Sequence, residues 1–128
     1  MIDETDKRLI NNIINKIDRL TDIVQNHLEE IETNYLYSDS IQFEFEKIFE
    51  DISRLSFKLL VYHPELPIDK LRGIRNRIAH DYEHVELEIL IDTIKNNFPS
   101  FKNNLIVILK NWNKYSIILI IWTGLLIS

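Results

Sequence analysis

Ile10, Ile13, Ile17, Leu20, Val24 and Ile31 recur at intervals that fit steps of three and four, with His27 in the same line. That spacing sets side chains along one stripe of an α-helix. The positions between them are mostly Asn, Asp, Lys, Arg and Glu, so the opposite face is wet. The pattern predicts a long first helix over residues 4–33 that must bury its stripe against something. Such a regular seam suits antiparallel bundle packing or a dimer interface. His27 within it is expected to be a core or interface residue rather than a ligand.

The rest of the chain supports an all-helical reading. Two glycines and three prolines in 128 residues leave little material for the turns of an all-β fold, and 45% apolar content argues against disorder. A single domain of this length carries a real core. Without cysteines there are no disulfides or thiolate metal sites, and a reducing compartment is permitted. The opening "MIDETDKRLI" has no apolar run, so no secretory signal is expected and the cytoplasm is the expected location.

Further helices follow. Ser38, Asp39 and Ser40 are candidate N-caps for a second helix over 40–62, whose Ile41, Phe45, Ile48, Ile52, Leu55 and Leu59 repeat the stepping. Phe43, Phe49, Phe57 and Leu60 widen its apolar surface, so it should touch several neighbours. "HPELPID" ends it, and a third helix starts near Pro67 or Asp69. A fourth is expected over 85–97. Pro99 fits the first turn of a fifth, over 99–112. Short connections among four or five helices imply an up-and-down bundle filling residues 1–113. Residues 114–128 form a hydrophobic tail. Its apolar run, Ile117 to Ile127, would span about 17 Å as a helix, well short of the ~30 Å membrane core. Burial against the bundle or a second subunit is expected, not a membrane anchor.

The chain carries a formal charge of −5, yet Lys70, Arg72, Arg75 and Arg77 crowd one stretch, "IRNRIAHDY" and its approach. At ~100° per residue, with Arg75 at zero, Leu71, Ile74, Ile78 and Tyr82 fall within about 260–340°, the core face. Arg72, Gly73, Arg75, Asn76, Ala79 and His80 share an arc from about 0° to 160°. Gly73 and Ala79 are small and leave room there for a substrate or another backbone. Arg75 and His80 stand ~140° apart on an ideal helix. A long arginine, with unwinding near His80, would let them converge.

Histidine moves protons near neutral pH, and arginine offers an always-charged fork for phosphate oxygens. Together they suit cleavage of a phosphodiester by its own 2′-hydroxyl, chemistry confined to RNA. The plain alternative is a solvated face whose arginines pair with carboxylates from nearby acidic helices. A second pattern overlaps. "HDYEH" fits the H-x-x-E-H arrangement of a zinc hydrolase, with His80 and His84 as ligands and Glu83 as base. Its third ligand would have to come from Glu86, Glu88 or Asp92, all too close along the chain to serve easily. No metal and no cofactor is expected.

Arg75, four residues, His80, one residue, Tyr82 is the R-x4-H-x-Y motif, and the chain here resembles HepT-like toxins of the HEPN superfamily. "LPIDKLRGIRNRIAHDY" resembles the proline-led entry to that family's motif helix. "VELEILIDTIKNNFPSFK" resembles the helix after it. The resemblance implies a dimeric helical bundle with two motif helices across a shared cleft, and metal-independent ribonuclease activity on transfer or messenger RNA. It implies Arg75 and His80 as the catalytic pair, with Asn76, Arg72 and Arg77 as accessory RNA-binding residues. It also implies a nucleotidyltransferase antitoxin of the MntA type that attaches AMP to Tyr82, adding charge and bulk beside the cleft. Some relatives are instead non-catalytic subunits that bind a nucleotide or the transferase, which is the alternative function.

Overall fold

The computed structural model describes residues 4–80, 83–112 and 124; the side chains at 79, 80 and 83–86 lie outside that description. The chain is an all-α helical bundle, with α1 Glu4–Asn26, α2 Leu28–Thr33, α3 Tyr35–Arg54, α4 Phe57–Tyr62, α5 Ile68–His80, α6 Glu83–Asn96 and α7 Phe98–Lys110. The described residues contain no strand. None of their helices is long and apolar enough to cross a membrane. The tail from 114 falls outside the described residues except for position 124.

The first stripe does what its spacing predicts. Ile10, Ile13, Ile17, Leu20 and Val24 are all buried, joined by Leu9. Each such side chain contributes about 1.5–3 kcal/mol on leaving water. α1 is the hub: it packs against α3, α6 and α7. The expected single helix over 4–33 nevertheless bends at His27, whose backbone leaves the helical region at φ −133° and ψ 32°. The bend turns the chain back toward α3 while Ile31 stays in the core. His27 sets its ring against Tyr37, centroids 5.2 Å apart. Its Nδ1 is shielded from water without a hydrogen bond, the Glu30 carboxylate standing 3.6 Å away.

The second expected helix differs at both ends. It starts earlier, at Tyr35, because the Asn34 side chain caps it by accepting the Leu36 N–H at 3.0 Å. The serines expected to cap bond backward inside the helix instead: Ser38 Oγ donates to the Tyr35 carbonyl and Ser40 Oγ to the Leu36 carbonyl. The helix also stops at Arg54 and restarts at Phe57. Ser56 is the new N-cap and accepts the Leu59 N–H at 3.1 Å. Asp6 of α1, 1% exposed, takes the Ser56 N–H at 2.8 Å and the Ser56 hydroxyl at 2.6 Å. A buried carboxylate thus fixes the break from across the bundle.

The expected Pro99 position is met, in the first turn of α7. Phe98, Phe101, Leu105 and Ile108 then enter the core, and Phe98 stacks on Phe45 at 5.6 Å. Ion pairs tie the outer faces of the hub. Lys16 meets Asp51 of α3 at 2.8 Å, Arg19 meets Glu44 at 3.1 Å, and Lys102 of α7 meets Asp18. α5 lies at the rim, packed on α3 and α6.

Candidate functional site

α5 takes its orientation from a short apolar face. Pro67 precedes its first residue, and the Leu71 N–H reaches back to the Pro67 carbonyl at 3.0 Å. Ile68, Leu71 and Ile78 are buried, with Ile74 partly so. Arg72, Gly73, Arg75, Asn76 and Arg77 are exposed. Over residues 68–78 the sequence-predicted division of this helix into a core side and a polar side is therefore present; Ala79, His80 and Tyr82 lie outside the described side chains. At Gly73 an added Cβ would meet no atom within 4 Å, so the surface there is open.

Three of the expected residues share one depression. Arg72, Arg75 and Asn76 line a cleft of about 600 Å³ whose other wall is α3, with Phe43, Glu46, Lys47, Phe49, Glu50, Ile52 and Ser53. Arg77 is exposed but not part of this lining. His80 is the last residue of α5; its side chain lies outside the description, and Tyr82 lies outside the described residues altogether.

Two of the arginines have acidic neighbours, as a plain solvated face would provide. Arg75 Nη2 stands 3.7 Å from Glu46 Oε2, and Arg72 Nη1 stands 3.9 Å from Asp69 Oδ1. Both pairs are long, the first about half exposed and the second with Asp69 fully exposed, and such pairs are worth about 0–1 kcal/mol. A phosphate bound by two charge-assisted hydrogen bonds to one guanidinium would outcompete them. On the facing wall, a Lys47 hydrogen bond and then the charges of Lys47 and Arg54 hold the Glu50 carboxyl below its ordinary range. Glu50 receives Lys47 at 3.2 Å and Arg54 at 3.0 Å.

Among the described residues no group of three or more His, Asp or Glu side chains could hold a metal ion. The H-x-x-E-H pattern itself falls on side chains outside the description. Its two histidines belong to different helices, position 80 ending α5 and position 84 lying in the first turn of α6.

A family model for HepT-like ribonucleases matches residues 13–108, from the middle of α1 to the end of α7. The chain belongs to the HepT-like ribonuclease family. No solved structure matches it. In this HepT-like chain Arg72, Arg75 and Arg77 of α5 are all exposed to solvent. Sequence reasoning located these arginines but missed the α3 wall that faces them. Glu46 reads as ordinary helix surface, and the sequence predicts that Phe43 widens the packed apolar surface of this helix rather than standing exposed in a cleft wall. A signal was present: Phe43 falls off the buried stripe of Ile41, Phe45, Ile48 and Ile52, and it is exposed. Of the other aromatics expected to widen contact, Phe49 is buried whereas Phe57 is 81% exposed.

Proposed function

We propose that this HepT-like protein is a metal-independent endoribonuclease toxin acting as a homodimer. The single observation that carries the reading is the placement of Arg75 on the open side of α5, five residues before His80, within a chain whose family is ribonucleolytic. A neutral His80 imidazole takes the proton of a ribose 2′-hydroxyl. The freed oxygen attacks the adjacent phosphorus, and the bond from phosphorus to the 5′-oxygen breaks. A protonated His80 imidazole from the second copy returns a proton to that leaving oxygen. Arg75 stabilises the charge that builds on the phosphoryl oxygens. Asn76, Arg72 and Arg77 hold the flanking backbone. The products are a 2′,3′-cyclic phosphate and a 5′-hydroxyl. Transfer or messenger RNA is the substrate class, and the cytoplasm is where it is met. Two copies double the cationic lining of one cleft in an otherwise acidic molecule.

Cleavage of RNA in excess EDTA with cyclic-phosphate ends is the expected result. His80→Ala should lower the rate by about 10²–10⁴-fold, the usual worth of a proton-transfer group. An unchanged rate in that variant removes the catalytic assignment.

Restraint comes from a nucleotidyltransferase antitoxin that transfers AMP from a nucleoside triphosphate to the Tyr82 hydroxyl, releasing pyrophosphate. The added phosphate, two residues after His80 along the chain, repels RNA. Intact mass of the protein expressed with its candidate antitoxin should rise by whole adenylyl units, and Tyr82→Phe should abolish the rise. Full neutralisation with no mass change would mean inhibition by binding alone.

A further inference from the structure

Phe43 is 62% exposed, although its neighbour two residues on, Phe45, is fully in the core. It stands in the cleft wall opposite Arg72, Arg75 and Asn76. Lys47 Nζ lies 5.4 Å from the ring centroid and is itself held by Glu50 at 3.2 Å. The ring is thus propped on one side by a fixed cation and otherwise available to a planar ligand. An aromatic ring beside basic side chains is how single-stranded nucleic acid is gripped: bases stack while cations follow the phosphates.

We propose that Phe43 is the stacking platform for a nucleobase of single-stranded RNA adjoining the phosphate held by Arg75. This assignment rests on the ribonuclease reading above and adds a residue that positions substrate. The cleft's size lies within the ~300–1,000 Å³ of ligand sites and admits a nucleotide. Its charge also favours RNA over a protein partner. Protein interfaces are depleted of charge at their centre. Here Phe43 shares the cleft lining with Lys47, Arg72 and Arg75, against Glu46 and Glu50. Glu50 is already engaged by Lys47 and Arg54, whereas Glu46 meets Arg75 only at 3.7 Å and gives it up to a phosphate. Stacking accepts any base and favours the larger purine faces, so selectivity at this step is mild.

The probe is a mixed-sequence single-stranded 12-nucleotide RNA, 2′-O-methylated so that it cannot be cleaved, with 2-aminopurine at a central position. Wild-type protein should bind it with quenching of the 2-aminopurine fluorescence. Phe43→Ala should bind about 5- to 100-fold more weakly and without quenching, at an unchanged melting temperature. Phe43→Tyr should restore both signals to within about twofold of wild type. On cleavable RNA, the loss in Phe43→Ala should fall on KM more than on kcat. Equal binding by wild type and Phe43→Ala, or no binding by either, overturns the assignment. So does a smaller sedimenting species for Phe43→Ala, which would place the ring between copies of the chain. Phe43-dependent quenching by a wild type that cleaves no RNA would retain the platform and remove the nuclease. Cleavage indifferent to Phe43 would do the reverse.

Discussion

Arg75→Ala is expected to lower RNA cleavage by about 10²–10³-fold, the worth of one donor aimed at the charge that develops in a transition state. The fold should be untouched. Arg75 is solvent-exposed, and its pair with Glu46 is half exposed, contributing about 0–1 kcal/mol. Arg75→Lys should recover only part of the loss, because an ammonium cannot present two parallel donors to a phosphate. Glu46→Gln supplies the opposite control. It removes the group that competes with phosphate for the guanidinium, so KM should fall by about two- to fivefold, in line with the small worth of an exposed ion pair. Initial rates across a substrate range, with circular dichroism on each variant, decide the matter. Wild-type rates in a folded Arg75→Ala protein would remove the arginine from the chemistry.

A large loss of stability is expected from a residue outside the cleft lining. Asp6→Ala strips the carboxylate that accepts both the Ser56 N–H and the Ser56 hydroxyl, in a site 1% exposed. Hydrogen bonds to a charged group are worth about 1.5–3 kcal/mol, and both donors left behind lie in a part-buried site. A loss on the order of 3 kcal/mol follows, or about 10 °C in melting temperature for a domain of this size. Asp6→Asn should lose less, since the amide oxygen still accepts one bond. Thermal and urea unfolding of the three proteins measures this directly. A shift below about 1 kcal/mol would mean that Ser56 finds another acceptor when Asp6 is gone.

Asp6 also shows why part of the fold was hidden from the sequence. The stripe of Ile and Leu residues in α1 could be read directly, because helix periodicity is local. The break at Leu55 and Ser56 could not, because its cause lies fifty positions away in the chain. The stepping of Leu55 and Leu59 continues through the interruption and conceals it. The start of α3 misled for a different reason. Ser38, Asp39 and Ser40 are all good caps by type, and only the backbone decides that Asn34 is used. At the cleft, the cationic cluster on α5 was legible as composition and spacing. The facing wall was not, since which α3 residues meet Arg75 depends on how two helices are set against each other. Glu46, Lys47 and Glu50 look alike in sequence, yet each has a different partner across or along that wall.

α5 rests on two neighbouring helices, whereas α1 is gripped on three sides. Arg72, Arg75, Asn76 and Arg77 on the outward face of α5 are exposed and outside the hydrophobic core. Changes among them leave the protein's folding free energy nearly constant, because they alter no core packing. If α5 binds RNA as proposed, substitutions at Arg72, Asn76 or Arg77 should therefore retune what the helix holds while the scaffold beneath it stays the same.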